Sequence, residues 1–231
     1  MKLFLAIILL PAMSFAQKVE SKTYTWPQAI TGRTTLLESL EIRTSDNDGV
    51  HTPHTGLEEL IIIKEGTIVV TIEGIQRRLG PGSIIYVMPG DEHVLAPISK
   101  TPCTYYVTKF KPVRVHGSNK IPGSFTVDWD QMKFVPHDKG GRRDVCNQPT
   151  QLFERFEMHL TTLHPGLPSH DPHSHTPEEI ILVKEGDVEM SLDDRKVKAS
   201  TGDLIFIDSK ILHGLTNVGT TSATYYAFQW N

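Results

Sequence analysis

The chain contains one module twice. Glu58-Glu59-Leu60-Ile61-Ile62-Ile63-Lys64-Glu65-Gly66 returns 120 residues later as Glu178-Glu179-Ile180-Ile181-Leu182-Val183-Lys184-Glu185-Gly186. At the same offset Gly82 falls on Gly202, His93 on His213, and Thr104-Tyr105-Tyr106 on Thr224-Tyr225-Tyr226. One offset held without a gap over nearly fifty residues marks a duplication, so any fold must be built from two like units. Upstream the match continues with a small slip, Leu36-Leu37-Glu38 and Glu41 resembling Leu152-Phe153-Glu154 and Glu157.

Each unit reads as β. Its apolar runs, such as Ile84-Ile85-Tyr86-Val87 and Leu204-Ile205-Phe206-Ile207, are short and β-branched, and Gly, Pro, Asp and Asn interrupt them at short intervals. No helical periodicity of useful length occurs. Many short strands per unit predict an all-β chain of two tandem closed barrels of the jelly-roll type. The expected boundaries are an N-terminal barrel over 17–115, a connecting segment over 116–148 and a C-terminal barrel over 149–231. The connecting segment carries Pro122-Gly123, Trp129 and Gly140-Gly141-Arg142-Arg143, and is expected to pack on a barrel as extra strands or a short helical turn.

Residues 1–16 stand apart. Lys2 precedes the apolar run Leu3 to Leu10, and small residues stand at Ser14 and Ala16. That pattern predicts a secretory signal cut near Ala16, and hence export to a periplasm or the medium. The run is too short for the roughly 30 Å of a bilayer core, and no other segment reads as a membrane span. A net charge of -4 and the lack of a long Lys/Arg run give no basis for binding nucleic acid. The two cysteines, Cys103 and Cys146, are candidates for a disulfide in an exported chain or for separate buried thiols.

The chemistry concentrates in the second copy. His173, His175 and Glu179 are separated by even numbers, so on a strand all three point one way, into the barrel, while Glu178 points out. His213 follows the turn at Asp208–Lys210 and can close the set from an adjoining strand. Three imidazoles and a carboxylate suit a divalent transition ion, expected here as Fe, Mn or Zn. Four protein donors leave open positions for a substrate.

These residues carry a resemblance. Gly166, His173, His175, Glu179 and Gly186, followed by Gly202, His213 and Asn217, resemble the two motifs of the cupin family. One extra residue separates Gly166 from His173, and Asp208 and Lys210 stand where the family has Pro and Gly. The resemblance implies a bicupin, two double-stranded β-helix barrels. It implies His173, His175, Glu179 and His213 as metal ligands.

The first copy departs from the pattern. Pro53 and Thr55 fall where His173 and His175 stand, while Glu59 and His93 remain. His54 is one residue out of register and needs a bulge to turn inward. His54, Glu59 and His93 are therefore at most a weak second site, and this barrel is read as metal-free or weakly binding, with a structural role.

Other polar residues are weaker candidates. His159, His164 and His170 read as ordinary loop or strand histidines, with His170 a candidate to support the ligands. Arg142 and Arg143 read as solvated charges, although a pair of guanidiniums can also hold a carboxylate or phosphate. Tyr226, Phe228 and Trp230 share one face of the last strand and read as core. The catalytic residues are not legible.

The leading functional expectation is an exported metal-dependent enzyme that acts on a small oxygen-rich molecule, such as a sugar, uronate or carboxylate, by isomerase, lyase or hydrolase chemistry. The alternatives are an Fe(II) dioxygenase and a non-catalytic ligand-binding bicupin. A small molecule is the expected partner, and a monomer and a homodimer are equally compatible with the sequence.

Overall fold

The computed structural model describes residues 37–45, 49–51, 56–100, 102–111 and 122–231. The expected signal and His54 lie outside the described residues. Among the described residues there is one helical turn, Trp129–Gln131, and no helix long and apolar enough to cross a membrane.

The first unit contains β1 (Leu37–Ser45), β2 (Gly49–His51), β3 (Glu58–Glu65), β4 (Ile68–Ile72), β5 (Ile75–Leu79), β6 (Ile84–Val87), β7 (His93–Pro97) and β8 (Cys103–Phe110). The connecting segment adds β9 (Phe125–Val127), β10 (Val135–His137) and β11 (Gly140–Gln148). The second unit follows with β12 (Phe156–Leu163), β13 (Glu178–Glu185), β14 (Asp187–Leu192), β15 (Arg195–Ser200), β16 (Leu204–Ile207), β17 (His213–Asn217) and β18 (Ala223–Trp230).

Each unit is a pair of antiparallel sheets. The first has sheets in the order β1-β8-β3-β6-β9 and β2-β7-β4-β5; the second has β10-β11-β12-β18-β13-β16 and β15-β14-β17. The duplication extends to the pairing register. Glu59 is opposite Lys109 and Ile61 opposite Val107 in one copy, Glu179 opposite Gln229 and Ile181 opposite Ala227 in the other. Both copies bulge at the same place, between Ile63 and Glu65 and between Val183 and Glu185. The connecting segment serves both units: β9 extends the first barrel's sheet beside β6, and the β10–β11 hairpin extends the second's beside β12.

The period of two divides each central strand between two cores. On β3, Ile61 and Ile63 pack inside the N-terminal barrel, whereas Leu60 and Ile62 face away from it. On β13, Ile181 and Val183 fill the C-terminal barrel, whereas Ile180 and Leu182 face away. The two outward faces meet, and β13 therefore reads as a near-continuous apolar run because it is buried on both sides. The shared core between the barrels is rich in rings. Phe110 of one barrel lies 5.0 Å from Trp230 of the other, and Phe153 and Phe156 pack on the same cluster. Tyr226, Phe228 and Trp230 belong to this shared core.

Polar groups at the junction are matched. Glu58 is fully buried; it accepts the Leu152 N–H at 2.9 Å and the Tyr86 hydroxyl. Glu178 accepts the Trp230 indole N–H at 3.1 Å. Cys103 and Cys146 are both free. Cys103 lies inside the N-terminal barrel, Cys146 packs on the shared core, and burial pushes their thiols up to about 11 and about 12.

Candidate metal centre

Two of the four expected ligands lie before the strand. β13 begins only at Glu178, so His173 and His175 are not aligned by strand alternation as expected. They sit on an extended approach that runs along the edge of β17. Ser169 N–H donates to Leu215 O at 2.9 Å, and His173 and His213 exchange backbone hydrogen bonds of 3.0 and 2.8 Å. Lys210 N–H then donates to His175 O at 2.7 Å. This pairing sets His173 directly opposite His213. The parity argument does hold for the neighbouring pair on the strand itself: Glu179 faces the cavity, and Glu178 faces the other barrel.

The donors converge. One nitrogen from each of His173, His175 and His213 lies within 4.8 Å of the others. Glu179 Oε2 is 3.3 Å from His175 Nε2 and 3.3 Å from His213 Nε2. His213 and Glu179 are buried, His175 is half-buried, and His173 is exposed at the mouth. The other ring nitrogens are engaged: His175 Nδ1 meets Pro177 O at 2.9 Å, and His213 Nδ1 meets Ile211 O at 2.9 Å. A carbonyl oxygen only accepts, so Nδ1 carries a proton in each; Nε2, on the side of Glu179, donates to that carboxylate when protonated and is the nitrogen left to bind an ion when it is not. Burial pushes the Glu179 carboxyl up, but hydrogen bonds from His175 and His213 and their charges hold it down at about 2. His175 is raised by its hydrogen bond to Glu179, and His173 is lowered by burial and by the neighbouring imidazoles. Three imidazoles, two of them oriented by carbonyl oxygens at Nδ1, beside a carboxylate fit a divalent transition ion.

The ligands open into a cavity of about 310 Å³ whose polar wall includes Arg142, Glu157, His159, His170, Tyr225 and Gln229. Six of the eleven histidines line this one cavity, among them His137 from the connecting segment. His159 reaches it, contrary to its reading as an ordinary histidine; His170 reaches it as the residue named to support the ligands, and His164 does not line it. The His170 ring packs edge-on against His173, with centroids 4.3 Å apart.

The two arginines part company. Arg142 lines the cavity and is bound to Asp144 at 2.6 Å and Glu157 at 3.2 Å. Arg143 turns away, with its guanidinium 4.7 Å from the ring centres of both Trp129 and Phe134. Neither is a free charge: Arg143 lies against two rings, while Arg142, with 41% of its side chain exposed, is ion-paired at the cavity mouth. Neighbours on one strand face opposite sides.

Glu157 is the hub of the wall. It accepts from Arg142, from Arg155 and, at 2.9 Å, from Gln229 Nε2. His159 Nδ1 is buried 3.8 Å from Glu157 Oε1. Burial first, and the Arg142 charge second, lower the His159 imidazole to about 4. The sequence comparison paired Glu41 with Glu157, but the register differs. Glu41 is opposite Val107 and His159 opposite Ala227, which makes His159 the counterpart of Glu41. The two-residue period of β12 puts Glu157 and His159 on one face, but only the register with β18 brings Gln229 opposite Glu157.

The fold and the site define a class: two jelly-roll barrels in one chain, one of them gathering a His₃Glu donor set. The cupin domain profile matches twice, at residues 40–109 and 159–228, and the chain belongs to the cupin family, as a bicupin. No curated protein matches the sequence. Among solved structures it is similar to protein Ylba from E. coli, at 17% identity, 94% and 95% coverage of the two chains and a TM-score of 0.67. It is also similar to an oxalate decarboxylase from Bacillus subtilis with Mn(II) centres, at 13% identity, 85% and 70% coverage and a TM-score of 0.67. A third is an oxalate decarboxylase from Lactobacillus farciminis in complex with formate, at 12% identity, 93% and 87% coverage and a TM-score of 0.64. At these identities the likeness is one of fold.

Proposed function

We propose that the C-terminal barrel is the centre of a metal-dependent enzyme that acts on a small, oxygen-rich, anionic metabolite, with a carboxylate or uronate favoured. The observation that carries this reading is the paired fixing of His175 and His213, whose Nδ1 protons are held by Pro177 O and Ile211 O so that Nε2 faces Glu179. Side chains that merely packed would not need matched tautomers. His173, His175, Glu179 and His213 would hold one Fe, Mn or Zn ion. Such an ion, when bound, supplies Lewis acidity to an oxygen on which negative charge develops.

The rest falls to the chain's own groups. Arg142 offers a guanidinium at the cavity wall for a substrate carboxylate. His159 is neutral at pH 7 and offers the cavity an uncharged imidazole beside Glu157, with Nδ1 3.8 Å from Glu157 Oε1. Gln229 and Arg155 hold Glu157 in place at the wall. The cavity volume suits a metabolite of few heavy atoms, in keeping with a B. subtilis neighbour that is an oxalate decarboxylase. The signal-like pattern of residues 1–16 supports a site of action outside the cytoplasm.

Metal analysis of the mature protein, purified without chelator, tests the reading. About one Fe, Mn or Zn per chain is expected, with most of it lost in His175→Ala and in His213→Ala. A chain that holds no metal and takes none up on reconstitution would sink the enzyme reading. Oxygen consumption by Fe-loaded protein against a panel of small carboxylates and phenols separates the dioxygenase alternative; no consumption is expected.

A further inference from the structure

We infer that the C-terminal cavity selects a carboxylate that carries a hydroxyl on the adjacent carbon, a 2-hydroxy acid, and that Gln229 is the residue that recognises the hydroxyl. The inference rests on the reading of His173, His175, Glu179 and His213 as ion ligands, and narrows the substrate of that site. Gln229 stands in the middle of a row. On β18 it is opposite Glu157 of β12 on one side and opposite Glu179 of β13 on the other. Residues in register across neighbouring strands share a face, and all three line the cavity. In the first copy the row reads Ser39, Lys109 and Glu59, with Lys109 Nζ 3.5 Å from Glu59 Oε1, so a side chain at the middle position reaches the carboxylate beside it.

The flanking residues fix which way the Gln229 amide points. Glu157 accepts from Arg142 at Oε1 and from Arg155 at Oε2, and a guanidinium only donates, so both oxygens act as acceptors. The amide therefore turns its nitrogen to Glu157, and Gln229 Nε2 donates to Oε2 at 2.9 Å. The amide oxygen lies on the other arm of the same plane, turned from Glu157. Among the described residues no group donates to it. It is an acceptor open to the cavity beside Glu179, whose carboxylate is an acceptor too. Two neighbouring acceptors favour a donor between them and disfavour a carbonyl. Because Glu179 is one of the residues that would hold the ion, a substrate oxygen drawn to that ion comes within reach of Gln229. Neither a carboxylate oxygen nor a keto oxygen has a proton to give the amide. A primary amine has protons, but near neutral pH it is an ammonium with no lone pair for an ion. A hydroxyl has both a lone pair and a proton.

Calorimetric titration of the Mn-loaded protein tests this, once elemental analysis has shown about one Mn per chain. The probes are the two enantiomers of lactate, and pyruvate, which share a carboxylate and a methyl group and differ at the oxygen on the carbon between them. The better-bound lactate is expected to bind at least about tenfold more tightly than pyruvate, and Gln229→Leu to reduce that ratio to about twofold or less with metal content unchanged. Equal binding of the two acids by the wild type would overturn the inference, as would a preference that survives Gln229→Leu, or binding of neither acid by a chain that holds its Mn. Gln229→Met replaces a Gln229→Leu chain that fails to fold, and if both fail the wild-type ratio decides alone. A protein that takes up no Mn sinks the metal reading at the elemental analysis, and this inference with it. Lost preference in a chain that holds its Mn sinks only the choice of substrate, so the two failures are told apart.

Discussion

Glu178 and Glu179 are adjacent in the chain and do unrelated work. Glu179 Oε2 sits between His175 and His213, while Glu178 binds the Trp230 indole at the junction with the other barrel. Glu179→Gln is therefore expected to strip most of the metal and Glu178→Gln to retain it, measured by elemental analysis after dialysis. The opposite result would mean that the strand faces are reversed. This pair was legible from spacing alone because both residues lie within a true strand. His173 and His175 were legible from the motif but not from parity, since it is hydrogen bonding to the edge of β17 that orients them. Arg142, Glu157 and Gln229 were not legible, because their meeting depends on the register between β11, β12 and β18 and no local pattern fixes that. His159 adds a prediction in pH. Its value falls from an ordinary 6.5 to about 4 in the fold, so between those limits the unfolded chain binds the extra proton. Stability then drops as pH falls through 6.5 and levels off below about 4, by up to about 3 kcal/mol. In chelator, His159→Gln should flatten this part of the stability curve; an unchanged slope would show that the group is not held neutral.

At the scale of elements, the turn before β17 sets where His213 enters the cavity. The first copy has Gly90 there with φ +88, and the second has Lys210 with φ +66. A side chain in the left-handed region costs about 1–2 kcal/mol, and glycine avoids that at some cost in chain entropy. The cross-strand hydrogen bond from Lys210 N–H to His175 O holds the turn nonetheless. Lys210→Gly is expected to raise stability by up to about 1 kcal/mol, read as a rise of roughly 2–4 °C in the thermal midpoint, with metal content unchanged. A fall in the midpoint would show that the lysine side chain contributes more than its backbone conformation costs. The departure from the family pattern was visible in the sequence; that the backbone keeps the conformation a glycine would take was not. The connecting segment was legible as extra strands or a turn, and it supplies both. Its contribution of His137 and Arg142 to the cavity follows from β10 and β11 pairing onto β12, which composition does not reveal.

At the scale of the molecule, the duplication predicted two barrels, and the double burial of their apolar strands is what joins them. Phe156 is fully buried in the shared core, near Phe110 of the other barrel. Phe156→Ala is expected to cost about 3–5 kcal/mol and to lower the unfolding of both halves together. Calorimetry of the protein in chelator should show one transition that moves as a whole; two transitions of which only one moves would show that the barrels melt separately. The sharing of strands between two cores also bears on descent. After a duplication, substitutions at alternate positions of one strand are exposed to different selection: one set must keep fitting the sister barrel, while the other answers only to what the barrel contains. The first copy shows the result. Leu60 and Ile62 still match the apolar character of Ile180 and Leu182, while across the barrel lysine has taken the place that glutamine holds in the twin. A lineage built this way can change what one barrel contains and keep the joint intact, since the letters that encode the two are interleaved but separate.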